Sequence, residues 1–187
     1  MKNAVKHFKK ICTHKYWVAK YCFKMGLYHQ GIMHDMSKFS LVEFGESLKY
    51  YQGTSSPIDA CKKVNGYSLA WQHHKGRNPH HYEYWTDNYD KGTIAIKMPF
   101  KYACEMLADY IAAGKAYMGE GFSWSAELEW WVNKIATNPK MHPDTKEFIN
   151  FCLTNLANGN ISEKHLFNKH FLKGVYETTK GKELNNE

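Results

Sequence analysis

Residues 3–25, NAVKHFKKICTHKYWVAKYCFKM, decide the fold class. Val5, Phe8, Ile11, Cys12, Trp17, Val18, Tyr21, Cys22 and Met25 recur at roughly helical spacing, and lysines fill much of the rest. One apolar stripe sustained over that length predicts an amphipathic helix, and Gly26 predicts its stop. The same period returns in residues 99–117, PFKYACEMLADYIAAGKAY. Between them the punctuation is helical as well. A second short helix is expected over 27–36, ending near HDMSK. Ser40-Leu41-Val42-Glu43 reads as a capping box opening a third helix to Tyr51. Pro57 suits the first position of a fourth, and residues 68–74 suit a fifth. Asn78 and Pro79 read as N-cap and first residue of another helix, which would carry His80 and His81 in its first turn. Residues 86–96 are loop-like with a small β excursion. Helices over 123–136 and 143–156, and a short one capped by Ser162, follow. The expectation is one all-α domain over residues 1–175, with a frayed tail over 176–187.

Composition narrows the classes. The chain has 187 residues, 43% hydrophobic and 23% charged, which is globular rather than disordered. No apolar run approaches the ~20 residues of a membrane span, and the basic N-terminus lacks the core of a secretory signal. Five cysteines, none spaced as CxxC, argue against a disulfide scaffold or zinc ribbon and for a reducing cytoplasm. The net charge of +7 suits an anionic partner, yet the lysines are dispersed and nothing resembles a nucleic-acid module. No membrane or nucleic-acid partner is expected. The sequence leaves the oligomeric state open.

Chemistry-bearing residues recur in order: His14, then His34-Asp35, then His73-His74 and His80-His81, then Asp109. Divalent transition metals take neutral imidazoles and carboxylates. A fold-back at Gly26 brings His14 toward His34, and Asp109 arrives from the long later helix with Glu105 one turn before it as an acceptor behind the ligands. The histidine pairs supply a second ion, with Asp35 as the bridge. His80 and His81 are expected to face the same cavity as His34, with at least one of His73 and His74.

His14, the HDMSK stretch and Asp109 in LADYIAA resemble the HD-domain superfamily of metal-dependent phosphohydrolases. His80–Trp85, HHYEYW, is similar to the histidine pair of its two-metal branches. The stretch WQHHKGRNPHHYEYW (71–85) also resembles an uncharacterised bacterial and phage family. The superfamily's usual glycine in the HD motif is Ser37 here, and its Gly-Tyr-Pro element after the histidine pair is absent, which argues against a cyclic-dinucleotide substrate. The resemblance implies an HD-like helical bundle whose metal is held by His14, His34, Asp35 and Asp109. It implies a second set from His74 (or His73), His80 and His81. The ions would be one or two of Fe, Mn, Zn, Co or Ni.

The function expected is hydrolysis of a phosphate ester, nucleotides included, by metal-activated water. Asp35 serves the metals, while Lys38, Lys75 and Arg77 meet phosphate oxygens of a small anionic substrate. Two other classes stay open: a diiron oxygenase on the same ligands, and a non-catalytic helical module whose Trp71, Tyr82, Tyr84 and Trp85 stack on a base.

Overall fold

The protein is described as a computed structural model over residues 2–90 and 92–179. Helix α1 (Lys2–Lys24) buries Ile11, Val18, Tyr21 and Cys22 as its stripe requires. Other members of that stripe do not follow: Val5, Phe8 and Cys12 face solvent, Trp17 is half-buried, and the buried face instead carries His7 and His14. The N-terminal half of the face is polar because it walls a cavity rather than a core. Gly26, at φ +69, turns the chain into α2 (Tyr28–Met33), which packs back on α1.

Helix α6 (Phe100–Met118) is the axis of the molecule. It buries Ala103, Cys104, Met106, Leu107, Ala108 and Ile111, all at or near zero exposure, and its widest contact is with α1. Helices α7 (Trp124–Lys134) and α8 (Pro143–Ala157) close the far side with Trp131, Phe148, Ile149 and Leu153. Fully burying each large apolar side chain contributes roughly 1.5–3 kcal/mol, so this α1–α6–α8 core anchors the fold. Helix α9 (Glu163–Leu166) and helix α10 (Lys169–Thr178) pack onto it through Leu166, Phe167 and Leu172. Helix α10 went unread in the sequence. It extends into the expected tail and buries Tyr176, while the rest of that tail, 180–187, lies outside the described residues.

The remaining elements form the other wall of the site. Helices α3 (Leu41–Lys49), α4 (Pro57–Asn65) and α5 (Leu69–Lys75) pack together, and α3 touches α1. A hairpin, β1 (Thr86–Tyr89) and β2 (Gly92–Ala95), pairs antiparallel with Thr86 opposite Ala95, which fits the small excursion expected there. The fold is thus predominantly α-helical and single-domain. Among the described residues no helix is long and apolar enough to cross a membrane.

Two predictions follow from packing. Gly31 is buried in α2, and a Cβ there would lie 2.8 Å from Phe23 Cε1 and 3.1 Å from the Ala19 backbone. Gly31→Ala should therefore destabilise by about 1–3 kcal/mol, lowering the melting temperature by roughly 2–4 °C per kcal/mol; an unchanged thermal transition would contradict this packing. Glu46 caps α5, accepting hydrogen bonds from the Ser68 hydroxyl (2.5 Å) and the Leu69 and Ala70 amides (both 3.1 Å). Burial opposes its charge, but those donors outweigh it and hold the carboxyl below its usual 4.5. A depressed carboxyl contributes stability above the unfolded value that is lost as pH falls through the folded one. Glu46→Gln should therefore melt lower than wild type at pH 6, and the gap should narrow below about pH 4.5; a gap independent of pH would refute the assignment.

Candidate metal centre

The His34-Asp35 pair does not sit on a helix. Helix α2 ends at Met33, His34 is extended (φ −48, ψ 128), and Asp35 is left-handed (φ 55, ψ 26), the one positive-φ non-glycine among the described residues. A 3₁₀ turn, Met36–Phe39, follows. A non-glycine in that region costs energy and survives where its surroundings demand it. Here the bend turns both side chains toward one point, and Lys15 Nζ clamps it by donating to the His34 carbonyl.

At that point His14 Nε2 lies 3.4 Å from His34 Nε2, 3.6 Å from Asp35 Oδ2 and 2.9 Å from Asp109 Oδ1. His34 Nε2 lies 3.2 Å from Asp35 Oδ2 and 3.4 Å from Asp109 Oδ1. A regular tetrahedron with edges in this range has its centre about 1.8–2.2 Å from each corner, the length of metal–nitrogen and metal–oxygen bonds. The four-residue set expected from sequence thus converges, on α1, the α2 bend and α6.

The second set lies on the other oxygen of Asp35. His74 Nε2 and His80 Nε2 are 3.2 and 3.3 Å from Asp35 Oδ1, and a ligand atom of His81 falls within 4.8 Å of theirs. Asp35 Oδ1, His80 Nε2 and His81 Nε2 are buried and have no hydrogen-bond partner. Acceptors and lone pairs facing one another without a donor between them are costly, and a cation among them removes the cost. His74, 1% exposed, is the inward member of its pair; His73 turns aside to Glu43. The reading of Pro79 as the start of a helix is corrected. Residues 78–81 form a turn, His81 is extended, and only a 3₁₀ turn, Tyr82–Tyr84, follows. A helix dipole therefore does not act on these histidines. Their aim comes from Trp85, whose Nε1 donates to the Pro79 carbonyl (2.6 Å), and from Asn78, whose Nδ2 donates to the His74 carbonyl and to Ser37 Oγ, both at 2.8 Å. The burial of His81, with His80 and His74 beside it, pushes its pKa well below the ordinary value and keeps it neutral.

Two carboxylates fix the imidazoles from behind. His34 Nδ1 and His80 Nδ1 donate to Glu105 Oε1 at 3.0 and 3.1 Å, which is the acceptor role expected of Glu105. His74 Nδ1 and His73 Nδ1 donate to Glu43 at 2.7 and 2.6 Å. The sequence pattern makes Glu43 half of a capping box. Ser40 Oγ does accept from the Glu43 amide (3.3 Å), but the Glu43 carboxylate goes to the histidines instead. The 3% exposure of this glutamate is invisible in a capping motif. With each Nδ1–H held by a carboxylate, each Nε2 lone pair is left for a metal. Burial opposes the charge of Asp35 and Asp109, but the surrounding histidines, and Lys38 at Asp35, outweigh it and hold both carboxyls well below their usual range.

The expected phosphate-binding cations separate. Lys38 Nζ lies 2.5 Å from Asp35 Oδ2 and lines a cavity of about 190 Å³ together with His14, His74, His81 and Asp109. Arg77 is exposed and lines a different cavity, bounded by His34, His80 and Glu105, while Lys75 lines neither. His80 and His81 thus face different cavities, against the expectation of a shared one.

Glu43→Ala and Glu105→Ala remove no expected ligand, yet each should weaken zinc or manganese binding by about 10–100-fold. Asp35→Ala should abolish it. Equilibrium dialysis against a competing chelator reads both, and full affinity in the two glutamate variants would overturn the positioning role. Because His34 is held well above its ordinary pKa despite its burial, chiefly by Asp35 and Asp109, metal uptake should release protons.

No curated protein and no solved structure matches the chain. A family of unknown function, DUF5662, matches residues 3–155, a span that contains every residue of both ligand sets. The chain belongs to the DUF5662 family.

Proposed function

We propose that the chain is a metal-dependent phosphohydrolase of HD type acting on a small phosphate ester. The observation that carries this reading is Asp35, whose two oxygens each face a separate group of imidazole nitrogens at 3.2–3.6 Å. A carboxylate shared between two ligand sets is how paired divalent cations are held in phosphate-cleaving sites. His14, His34, Asp35 and Asp109 would hold one ion, and Asp35, His74, His80 and His81 the other. Such ions supply activated water and neutralise charge on the phosphoryl oxygens.

The chain's own residues do the rest. Lys38 is held charged at the cavity floor: burial opposes its charge, but Asp35 and Asp109 outweigh that cost. It can neutralise a phosphoryl oxygen once a cation has taken its place at Asp35. Trp71 and Tyr117 wall the same cavity and exclude water from a leaving group resting there. Arg77, on the outer cavity, belongs to the approach rather than the floor. The shared carboxylate also suits a diiron oxygenase on the same ligands, which would show itself by visible absorption and oxygen uptake with iron bound.

The test is turnover of bis-p-nitrophenyl phosphate and a panel of nucleotides and sugar phosphates by protein loaded in turn with Mn, Fe, Co, Ni and Zn. Asp35→Asn should abolish turnover, and Lys38→Ala should lower kcat by roughly 10²–10³-fold with metal content unchanged. Absence of turnover with every metal, or turnover indifferent to Asp35→Asn, sinks the reading.

A further inference from the structure

Building on the hydrolase reading, we propose that His7 selects the substrate by hydrogen-bonding a neutral, hydroxyl-bearing part of it. The cavity has two ends. One is the ligand floor. The other, further toward the start of α1, carries His7, and Ser47 and Ser56 line the same cavity. His7 stands two turns before His14 on the same face of α1, about 10 Å along the helix axis. A ligand reaching from floor to far wall therefore has the length of a phosphorylated sugar or nucleoside rather than of phosphate alone.

The far wall is built to bind a neutral group. His7 is 5% exposed, and both its ring nitrogens are buried without a hydrogen-bond partner. Its ring is wedged against Phe44 and Tyr51, with centroids 5.1 and 4.9 Å away, so it is oriented but unsatisfied. Burial, with Lys38 nearby, lowers its pKa and leaves a neutral imidazole with one donor and one acceptor. Either nitrogen can pair with a hydroxyl, which can give a hydrogen bond to one or accept from the other. Ser56 precedes α4 but its side chain makes no capping hydrogen bond, so its hydroxyl is not spent on the helix. The cavity's two lysines are committed elsewhere. Lys38 is on Asp35, and Lys10 Nζ donates to the Ala116 carbonyl at 2.7 Å and lies over the Tyr117 ring. The hydroxyls of a substrate find neutral partners on this wall in His7 and Ser56.

The experiment compares matched esters on metal-loaded protein: ribonucleoside 5′-monophosphates against their 2′,3′-dideoxy forms, and glucose 6-phosphate against 2-deoxyglucose 6-phosphate. In at least one pair, wild type should favour the fully hydroxylated member by tenfold or more in kcat/KM, through KM. His7→Phe should erase the preference with kcat within about twofold, and His7→Gln, which keeps a donor and an acceptor, should retain most of it. Calorimetry with inorganic phosphate supplies a readout apart from turnover: wild type and His7→Phe should bind it equally, because it reaches only the floor. If phosphate binds and esters turn over but His7→Phe discriminates as wild type does, this proposal falls and the hydrolase reading stands. If wild type prefers the deoxygenated members or neither, the proposal also falls. If phosphate does not bind and no ester turns over, both fall together.

Discussion

Everything around the site answers to one constraint, the burial of the Asp35 carboxylate. It is fully buried, on a residue in a backbone conformation that non-glycine residues avoid. An ionised carboxylate cannot be buried without compensation. The compensation comes from beside Asp35 in the chain, through His34 and Lys38, and from two distant stretches, through His14 of α1 and through His74 at the end of α5 with His80 in the loop after it. The two distant stretches have no local reason to come here. The α1–α6 packing and the α3–α5 layer are what deliver them.

Glu127 shows what happens to a buried carboxyl without such company. It lies against Gly114 on α6, and burial, aided by the negative charge of Asp109, raises its pKa to about 7. Asp109, equally enclosed but touching His14 at 2.9 Å and His34 at 3.4 Å, is driven the opposite way. Burial alone would neutralise these acids; the imidazoles keep them charged. The difference between a structural carboxyl and a ligating one is therefore a matter of neighbours within about 4 Å, where opposite charges outweigh desolvation.

That also sets what could be read from sequence. The helical class was legible because the stripes of α1 and α6 repeat at 3.6 residues, and the residues of both ligand sets were legible because histidine and aspartate are scarce inside helical cores. The HD bend was not, since a left-handed aspartate leaves no mark in the residue string. Nor was the loop at Pro79, where an Asn-Pro pair carries the same signature as a helix start, and the tertiary bond from Trp85 to the Pro79 carbonyl decides otherwise. Glu43 hid behind a capping motif it only half fulfils. Helix α10 lay beyond the last strong signal, and it folds by docking Leu172 and Tyr176 on the core rather than by propensity.

The charge balance explains why the two positioning glutamates matter beyond geometry. Asp35, Asp109, Glu43 and Glu105 enclose the histidines, and Lys38 is the half-buried ammonium that touches Asp35. With the imidazoles neutral, as ligands must be, that leaves an excess of negative charge in a region of low dielectric. Protonating His34 and His74 relieves part of it, and the carboxylates beside them raise the pKa of each despite burial. Divalent cations relieve more, because each brings two charges to the point where the unpartnered Nε2 and carboxylate atoms already converge. The protonated state is thus the metal-free compromise of the same framework. Removing Glu43 or Glu105 would weaken a site twice over, by loosening a histidine and by lowering the field that draws the cation in.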